Sequence, residues 1–383
     1  MEAAGRLLLL LATASLLNSS FIHGRDIPER RLAKPPKATI KTIKWDNGDI
    51  FDCIDIYKQP AFKHPNLKNH KLQMEPSSYP FGVKAKNVSM DKLGPWHKSG
   101  KCPKGSIPIK RHVNTGLPII RKNITFRPPA SYNVGHQYAV IEYMAQSQTI
   151  QGLQATIDIW DPSLANPGGD FSLSQIWYIA GSGSDLNTAE AGWQVYPART
   201  GDSQPRLFVY WTADAYSSTG CYDLKCPGFV QTSDQYTPGM ALTPSTDNGQ
   251  QNELGLVINK DSSTGNIWLY VDGTAMGYWP NSIYNTLQGG SNIVEWGGEI
   301  LDSSGSGGFH TLTQMGSGYL PSAGYGLSSY IRNLLYTEDS QNWVAVTADV
   351  LQEIVPAPNC YNYSLESGQD GALWLFYGGP GCN

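Results

Sequence analysis

Positive charge and histidine are scarce over most of this 383-residue sequence. From residue 126 to the end, 6 Lys and Arg stand against 23 Asp and Glu, and the only histidines are His136 and His310. A Ser-His-Asp or Cys-His site in that part would have to use one of these two, and neither lies beside a nucleophile-elbow motif. HExxH, P-loop, EF-hand and dinucleotide-binding fingerprints are absent as well. If this part of the chain is an enzyme, carboxylates are its expected catalytic groups, with no metal and no cofactor.

Long apolar runs are also absent, because no stretch reaches the roughly 18 residues that a membrane-spanning helix needs. The apolar run 7–17 follows Arg6 and precedes a short run of small polar residues. That pattern predicts a secretory signal peptide over residues 1–24. We therefore expect a secreted protein of the apoplast or cell wall, with the vacuole as the alternative destination.

Six cysteines, and three N-glycosylation sequons outside the predicted signal peptide, fit an exported chain. An even cysteine count in an oxidising compartment indicates disulfides, and proximity along the chain suggests Cys53 with Cys102, Cys221 with Cys226, and Cys360 with Cys382. The alternative for Cys221 and Cys226 is half of a zinc site, but no second Cys/His pair lies nearby. The sequons predict glycosylation at Asn87, Asn123 and Asn362.

The charge distribution divides the chain into a basic and an acidic part. Residues 25–125 hold 21 Lys and Arg against 8 Asp and Glu, a net charge of +13, whereas residues 126–383 carry −17. The joint RKNITFRPPASY, residues 121–132, has the composition of an exposed extended linker. We predict a small mixed, disulfide-containing domain over residues 25–129, with a hairpin at Asn47-Gly48, and a second domain over residues 130–383.

The second domain is predicted to be an all-β antiparallel sandwich or barrel. Short period-two runs rich in aromatic and β-branched residues recur between Gly, Asn, Ser and Asp turns. These runs are QYAVIEYMA, LQATIDIW, SLSQIWYIAG, EAGWQVYPA, RLFVYWTA, ELGLVINK, GNIWLYVDG and SNIVEWGGEI.

Two of the predicted strands carry glutamates next to glycines. Glu190 shares a strand face with Gly192, and Glu295 shares a face with Gly297 and Glu299, because side chains alternate along a strand. A glycine beside each acid leaves space above the sheet. The alternative is that these glutamates simply face solvent.

Several motifs resemble the plant neprosin family. DNGDIFDCIDIYKQPAFKHPNLKNHKLQMEPSSYP and CPKGSIPIKR look like its activation domain, and EAGWQVYP, RLFVYWTADAYSSTGCYDLKCPGFVQT, MGYWP and VEWGGEI look like its catalytic domain. The resemblance implies a post-proline glutamic endopeptidase on an antiparallel β-sandwich. Its two catalytic glutamates fall on Glu190 and Glu299. It also implies an N-terminal domain that inhibits the enzyme until it is removed.

A pair of carboxylates can divide the roles of base and acid in peptide hydrolysis. Two carboxylates about 5 Å apart at an effective dielectric of about 20 repel by roughly 3 kcal/mol, which favours a single-proton state at acid pH. We therefore expect an acid optimum, with neither glutamate assigned as base or acid. The aromatic residues Trp177, Tyr210 and Trp296 are candidates for a wall against a substrate proline, and the alternative for each is ordinary packing.

Two other classes remain open at this stage. A glycoside hydrolase also uses two carboxylates, and a lectin-like wall protein would use the same sandwich without them. The basic N-terminal segment favours a peptidase precursor, and the resemblance implies proline-rich proteins as its substrates. We expect no nucleic acid or membrane as partner. We expect acid below about pH 4 to neutralise the acidic domain and release the segment, with self-cleavage near Pro129.

Overall fold

The computed structural model describes residues 31–80, 99–116, 135–305, 311–368 and 371–382. Five features of the sequence analysis lie outside these residues: the signal peptide, the sequons at Asn87 and Asn123, the joint with Pro129, and His310. The structure therefore says nothing about them.

The N-terminal part forms a small antiparallel sheet. Thr39–Lys44 (β2), Ile50–Asp55 (β3) and Ser106–Lys110 (β4) pair in the order β2-β3-β4, and Arg31–Leu32 (β1) pairs with Val113–Asn114 (β5). The predicted hairpin is confirmed, since β2 and β3 are joined across Asn47-Gly48 and Gly48 has a positive φ of 86°. The Cys53–Cys102 disulfide joins β3 to the segment before β4.

The rest of the described chain consists almost entirely of strands. They are His136–Met144 (β6), Gly152–Asp158 (β7), Phe171–Ala180 (β8), Asn187–Val195 (β9), Arg206–Thr212 (β10), Cys221–Tyr222 (β11), Val230–Gln231 (β12), Glu253–Lys260 (β13), Ile267–Val271 (β14), Thr274–Trp279 (β15), Ile293–Leu301 (β16), Ser329–Thr337 (β17), Trp343–Ala345 (β18), Leu351–Ile354 (β19), Asn362–Ser367 (β20) and Leu373–Gly378 (β21). One short α-helix, Pro197–Thr200 (α1), follows β9.

Single 3-10 turns occupy several of the connections. They are Ile56–Lys58, Pro60–Lys63, Pro65–Leu67, Gly183–Asp185, Asn281–Ile283, Thr286–Gly289, Pro321–Ala323 and Ala348–Val350. Among the described residues, no helix is both long and apolar enough to cross a membrane.

Two antiparallel sheets pack face to face. The seven-stranded sheet has the order β11-β10-β9-β8-β16-β6-β19, and the nine-stranded sheet has the order β12-β15-β14-β13-β7-β17-β21-β20 with β18 on β17. The core between them includes the buried indoles of Trp193, Trp279 and Trp296. The predicted all-β antiparallel sandwich is confirmed, and each of the eight predicted runs contains a strand. The structure also pairs Cys221 with Cys226 and Cys360 with Cys382, as proximity along the chain suggests.

The N-terminal part docks on the outer face of the nine-stranded sheet. Ala61 lies in a buried cluster with Trp268, Tyr270 and Tyr278, whose side chains alternate with those that point into the sandwich core. His70 Nε2 lies 2.6 Å from the Tyr278 hydroxyl oxygen. These contacts place Ala61 and His70 against the outer face of the nine-stranded sheet.

A buried ion pair joins the same two parts. Arg206 on β10 donates from Nη1 and Nη2 to the two carboxylate oxygens of Asp49 at 2.8 and 3.1 Å. The charge asymmetry predicts basic N-terminal residues on acidic partners, but in this pair the acid belongs to the N-terminal part. Lys110 lies 3.4 Å from the same carboxylate. Burial raises the pKa of Asp49, but Lys110 and Arg206 outweigh that effect and hold it below its usual value.

Candidate active site

The strand register brings Glu190 and Glu299 to one face of the seven-stranded sheet. Glu190 on β9 lies opposite Trp177 on β8, and Glu299 on β16 lies opposite Leu173 on the same strand. Directly paired residues point to the same side of an antiparallel sheet, and Leu173 and Trp177 are both odd-numbered positions of β8. Both glutamates therefore point away from the sandwich core, with β8 between them.

Glu190 is fully buried and accepts three hydrogen bonds. The Tyr216 hydroxyl donates to Oε1 at 2.6 Å, and the Thr188 hydroxyl donates to the same oxygen at 2.8 Å. The Gln175 side-chain amide donates to Oε2 at 3.0 Å. These donors come from β9, from β8 and from the loop after β10, so the carboxylate is held from three directions.

The loop that carries Tyr216 is built around Asp214. Its carboxylate accepts hydrogen bonds from the backbone N–H and hydroxyl groups of Ser218 and Thr219, at 2.5–3.0 Å. Burial raises the pKa of Asp214, but these hydrogen bonds lower it to about 2. Ala215 and Tyr216 have positive φ values of 53° and 62°, a conformation that costs non-glycine residues energy. The loop thus holds Tyr216 in a strained position over Glu190.

Glu299 is also fully buried, and its partner is a histidine. His136 Nδ1 lies 2.6 Å from Glu299 Oε1, and the His136 ring packs edge-on against Phe171 with centroids 5.7 Å apart. Sequence reasoning considered His136 only as a candidate triad member or a structural residue. Its contact with Glu299 arises because β6 pairs with β16, and no local pattern in the sequence reveals that pairing.

Two glycines form a shallow row between the glutamates. Gln175 on β8 pairs with Gly192 on β9 at one side and with Gly297 on β16 at the other. A Cβ on Gly192 would lie 2.0 Å from the Ser174 carbonyl oxygen, and one on Gly297 would lie 2.2 Å from the Ala139 carbonyl oxygen. Neither position can therefore take a side chain. Gln175 lies between the two glycines and is the one of the three residues that carries a side chain.

The register sets how far apart the two glutamates lie along the sheet. Glu190 and Glu299 are two strands and four residues apart, which is about 10 Å across and about 13 Å along an ideal sheet, or roughly 16 Å between backbones. The carboxylate separation of about 5 Å used for the repulsion stays a prediction.

Glu295 shares this face but is separated from Glu190 by an indole. It lies opposite Trp177 on one side and Glu142 on the other. The Trp177 side chain thus stands in the direct line between Glu190 and Glu295, whereas the line from Glu190 to Glu299 crosses the glycine row.

The three candidate aromatic residues divide between the two faces. Trp177 and Tyr210 flank Glu190 on neighbouring strands and belong to the cluster on its face. The expectation for Trp296 is wrong, because its indole is fully buried in the sandwich core and donates to the Gln154 carbonyl oxygen at 3.2 Å. Trp296 alternates with Glu295 along β16, so the two residues must face opposite sides.

Two other predicted features have a place in the fold. Asn362 lies half-buried at the first position of β20, and its glycosylation stays a prediction. No cluster of three or more His, Cys, Asp or Glu side chains suited to a metal ion occurs in the described ranges.

Comparison with known families finds a match over most of the chain. Residues 168–380 match the family described as Neprosin, and residues 42–142 match the one described as Neprosin activation peptide. The second match reaches into β6, beyond the boundary predicted at residue 129.

Among solved structures, a scytalido-glutamic peptidase in complex with a peptide-based transition-state analog aligns with 13% identity and a TM-score of 0.35, over 65% of this chain and 100% of that chain. SCP-B, a member of the Eqolisin family of peptidases in complex with the tripeptide Ala-Ile-His, aligns with 12% identity and a TM-score of 0.32, over 64% of this chain and 98% of that chain. Likeness at this level assigns no residue role.

Proposed function

This chain belongs to the neprosin family and carries that family's activation peptide, and we propose that it is a secreted, acid-activated glutamic endopeptidase that cleaves after proline. Glu190 and Glu299 are the proposed catalytic residues. The observation that carries the proposal is their common face on the seven-stranded sheet, with the glycine row between them.

Peptide hydrolysis needs a base that takes a proton from water and an acid that gives one to the leaving amine. In our proposal the scissile bond lies across Gly192 and Gly297 with the water beside it. One glutamate removes the proton of the water as its oxygen attacks the carbonyl carbon. The other protonates the amine nitrogen as the C–N bond breaks. Tyr216 and Gln175 orient Glu190, and His136 orients Glu299, so each carboxylate is fixed before substrate arrives.

The aromatic residues beside Glu190 support a preference for proline. Trp177 and Tyr210 lie on either side of Glu190, and Tyr210 packs on Tyr216 with ring centroids 5.8 Å apart. A proline ring before the scissile bond would bury its apolar surface between such rings, and its fixed φ reduces the entropy lost on binding.

The proposal includes a latent precursor. The support for latency is the match of residues 42–142 to the family's activation peptide. We propose that the protein is exported, and that acid weakens the docking of the N-terminal part and allows cleavage near Pro129.

One digestion experiment tests this function. The precursor is acidified through a pH series, incubated with a proline-rich protein and with a cell-wall glycan, and the peptide products are identified by mass spectrometry. Cuts with proline before the broken bond are expected at acid pH, unaffected by chelators and by serine or cysteine reagents. Cuts without an excess of proline would refute the specificity, and glycan cleavage without peptide cleavage would refute the peptidase.

A further inference from the structure

A pocket lies between the N-terminal part of the chain, called the activation segment below, and the edge of the seven-stranded sheet. Residues 109–113 of the activation segment form one wall, and residues 199–200, 223–225 and 238–239 of the β-sandwich form the other. Five basic residues line it against a single acid, Asp223. The pocket lies beyond Tyr222, which is two strands from Glu190, so it does not belong to the proposed active site.

Some of this positive charge is already paired. Arg111 is bound by Asp52, and Lys110 lies beside Asp49. Burial, followed by the charge of Lys225, lowers the pKa of His112 to about 4, so this residue adds no positive charge to the pocket at neutral pH. The positive charges of the pocket that these pairs do not neutralise are therefore those of Arg199 and Lys225, both from the β-sandwich.

Arg199 has a buried guanidinium that is only partly satisfied. The residue is 3% exposed, its Nη1 donates to Asp223, and its plane lies over the Tyr222 ring at 4.8 Å. Its Nε and Nη2 have no hydrogen-bond partner in the described part of the chain. Such buried N–H groups are costly unless an acceptor reaches them.

Nε and Nη2 together form the side-on fork that matches two oxygens of one anion. Three other arginines of this protein use that fork on a carboxylate: Arg111 on Asp52, Arg206 on Asp202 and Arg332 on Glu253, with every N···O distance between 2.5 and 2.9 Å. Arg199 lines the pocket, and the only acid in that lining, Asp223, is bound through Nη1, so the fork of Nε and Nη2 has no carboxylate.

Lys225 reinforces the positive potential beside this fork. Its Nζ donates to the Arg199 carbonyl oxygen at 3.2 Å. Burial, followed by the Arg199 charge, lowers the pKa of Lys225 to about 7, with Lys110 acting in the same direction and Asp223 against it. A negative charge in the pocket would reverse these effects, so binding of an anion should be coupled to protonation of Lys225.

We propose that this pocket binds a small tetrahedral oxoanion, sulfate or phosphate, on the Arg199 fork with Lys225 beside it. Because the opposite wall belongs to the activation segment, the bound anion bridges the two parts and stabilises the precursor increasingly as its concentration exceeds the dissociation constant. Below about pH 7 Lys225 is charged, and the affinity falls as the pH rises through that value.

Calorimetric titration of sodium sulfate into the full-length precursor tests the site directly. Sulfate is the probe because its charge stays constant between pH 6 and 8.5, and sodium chloride at equal ionic strength is the control. One saturable site is expected, with affinity that declines above pH 7. Phosphate should displace sulfate. Equal displacement by acetate would refute the proposal that the site selects a tetrahedral oxoanion. The absence of saturable binding would overturn the site itself.

Variants locate the anion. Arg199→Gln and Lys225→Gln should each weaken sulfate binding at least about 10-fold, and Arg332→Gln, whose fork is filled by Glu253, should leave it unchanged. If Arg199→Gln does not fold, Lys225→Gln still tests the site, because this variant keeps the Arg199–Asp223 pair and should therefore fold. Unchanged affinity in Lys225→Gln would refute the assignment. Lys110→Met probes the other wall, and unchanged affinity there would refute the bridge.

Discussion

At the scale of single residues, the orientation of Glu190 depends on hydrogen-bond donors that lie far from it in the sequence. Tyr216 is 26 residues from Glu190, and Gln175 is 15 residues away. A hydrogen bond to a buried charged group contributes about 1.5–3 kcal/mol, so each donor can decide how well Glu190 is oriented.

Tyr216→Phe tests this orientation. Loss of the hydroxyl 2.6 Å from Glu190 Oε1 should reduce kcat about 10- to 100-fold, with little change in KM because the aromatic rings around Glu190 are all kept. Steady-state kinetics on a proline-containing peptide gives both constants. Tyr210→Phe, which removes a hydroxyl from the same aromatic wall, serves as the control. Equal losses in the two variants would mean that the wall as a whole matters and that the Tyr216 hydroxyl has no special role.

At the scale of elements, the shape of the site depends on close approach between strands. Gly297 has a φ of 155°, and a Cβ there would also lie 2.7 Å from the Val140 Cα. β16 and β6 can therefore pair at this point only without a side chain, and this pairing fixes where Glu299 and His136 meet.

Gly297→Ala should lower the free energy of unfolding by about 3 kcal/mol, and any folded protein should have reduced activity. Denaturant unfolding of the precursor measures the change. Gly289→Ala is the matched control, because a Cβ at Gly289 would have nothing within 4 Å. A Gly297 variant as stable as this control would show that the strands can separate at little cost.

The loop around Asp214 gives a second prediction at this scale. With its pKa lowered to about 2, Asp214 stays ionised at the working pH. Its contribution to loop order declines below the ordinary Asp pKa of about 4 and is fully lost as the pH falls through about 2. Asp214→Asn should therefore be less active by a constant factor from pH 5 to about pH 4, with the gap narrowing below that and closing near pH 2. Activity ratios across the pH series supply the check. A ratio that already closes near pH 4 would contradict the role of the carboxylate.

The elements also show what the sequence can and cannot predict. Period-two alternation predicted β9 and β16, because one face of each strand packs in the apolar core and the other carries the polar residues of the site. The strand Ser329–Thr337 was missed, since the Asn333 residue, with a φ of 56°, and a shift in register interrupt its alternation. Tyr216 and His136 were missed as site residues for another reason. Their contacts with the glutamates arise from the pairing of distant strands, which no local pattern reveals.

At the scale of the whole molecule, the interface between the two parts holds groups that respond to acid over different ranges. His64 packs against Trp211, and His70 contacts Tyr278 and Phe62. Burial lowers the pKa of both histidines. Docking therefore weakens as the pH falls below the free histidine value of about 6.5. Asp49, with its lowered pKa, keeps its ion pair with Arg206 until the pH falls below about 4.

Replacing both histidines by glutamine should shift conversion of the precursor to lower pH, by roughly half a unit. Gel analysis of precursor conversion across a pH series, with sequencing of the new N-termini, provides the measurement. The converted enzymes serve as an internal control, because the histidines lie in the predicted removed segment and the products should have the same activity. Conversion with an unchanged midpoint would assign the pH response to other groups, with Asp49 as the next candidate.

The central claim is that Glu190 and Glu299, rather than Glu295, form the catalytic pair. The most direct measurement is the rate of peptide cleavage at acid pH by Glu190→Gln, Glu299→Gln and Glu295→Gln, each first shown to be folded by thermal unfolding. We predict that the first two lose at least about 1,000-fold in kcat/KM and that Glu295→Gln stays within about threefold of the original chain. Substantial activity in either of the first two would contradict the pair, and a folded but inactive Glu295→Gln would mean that the acid on the other side of Trp177 is the partner of Glu190.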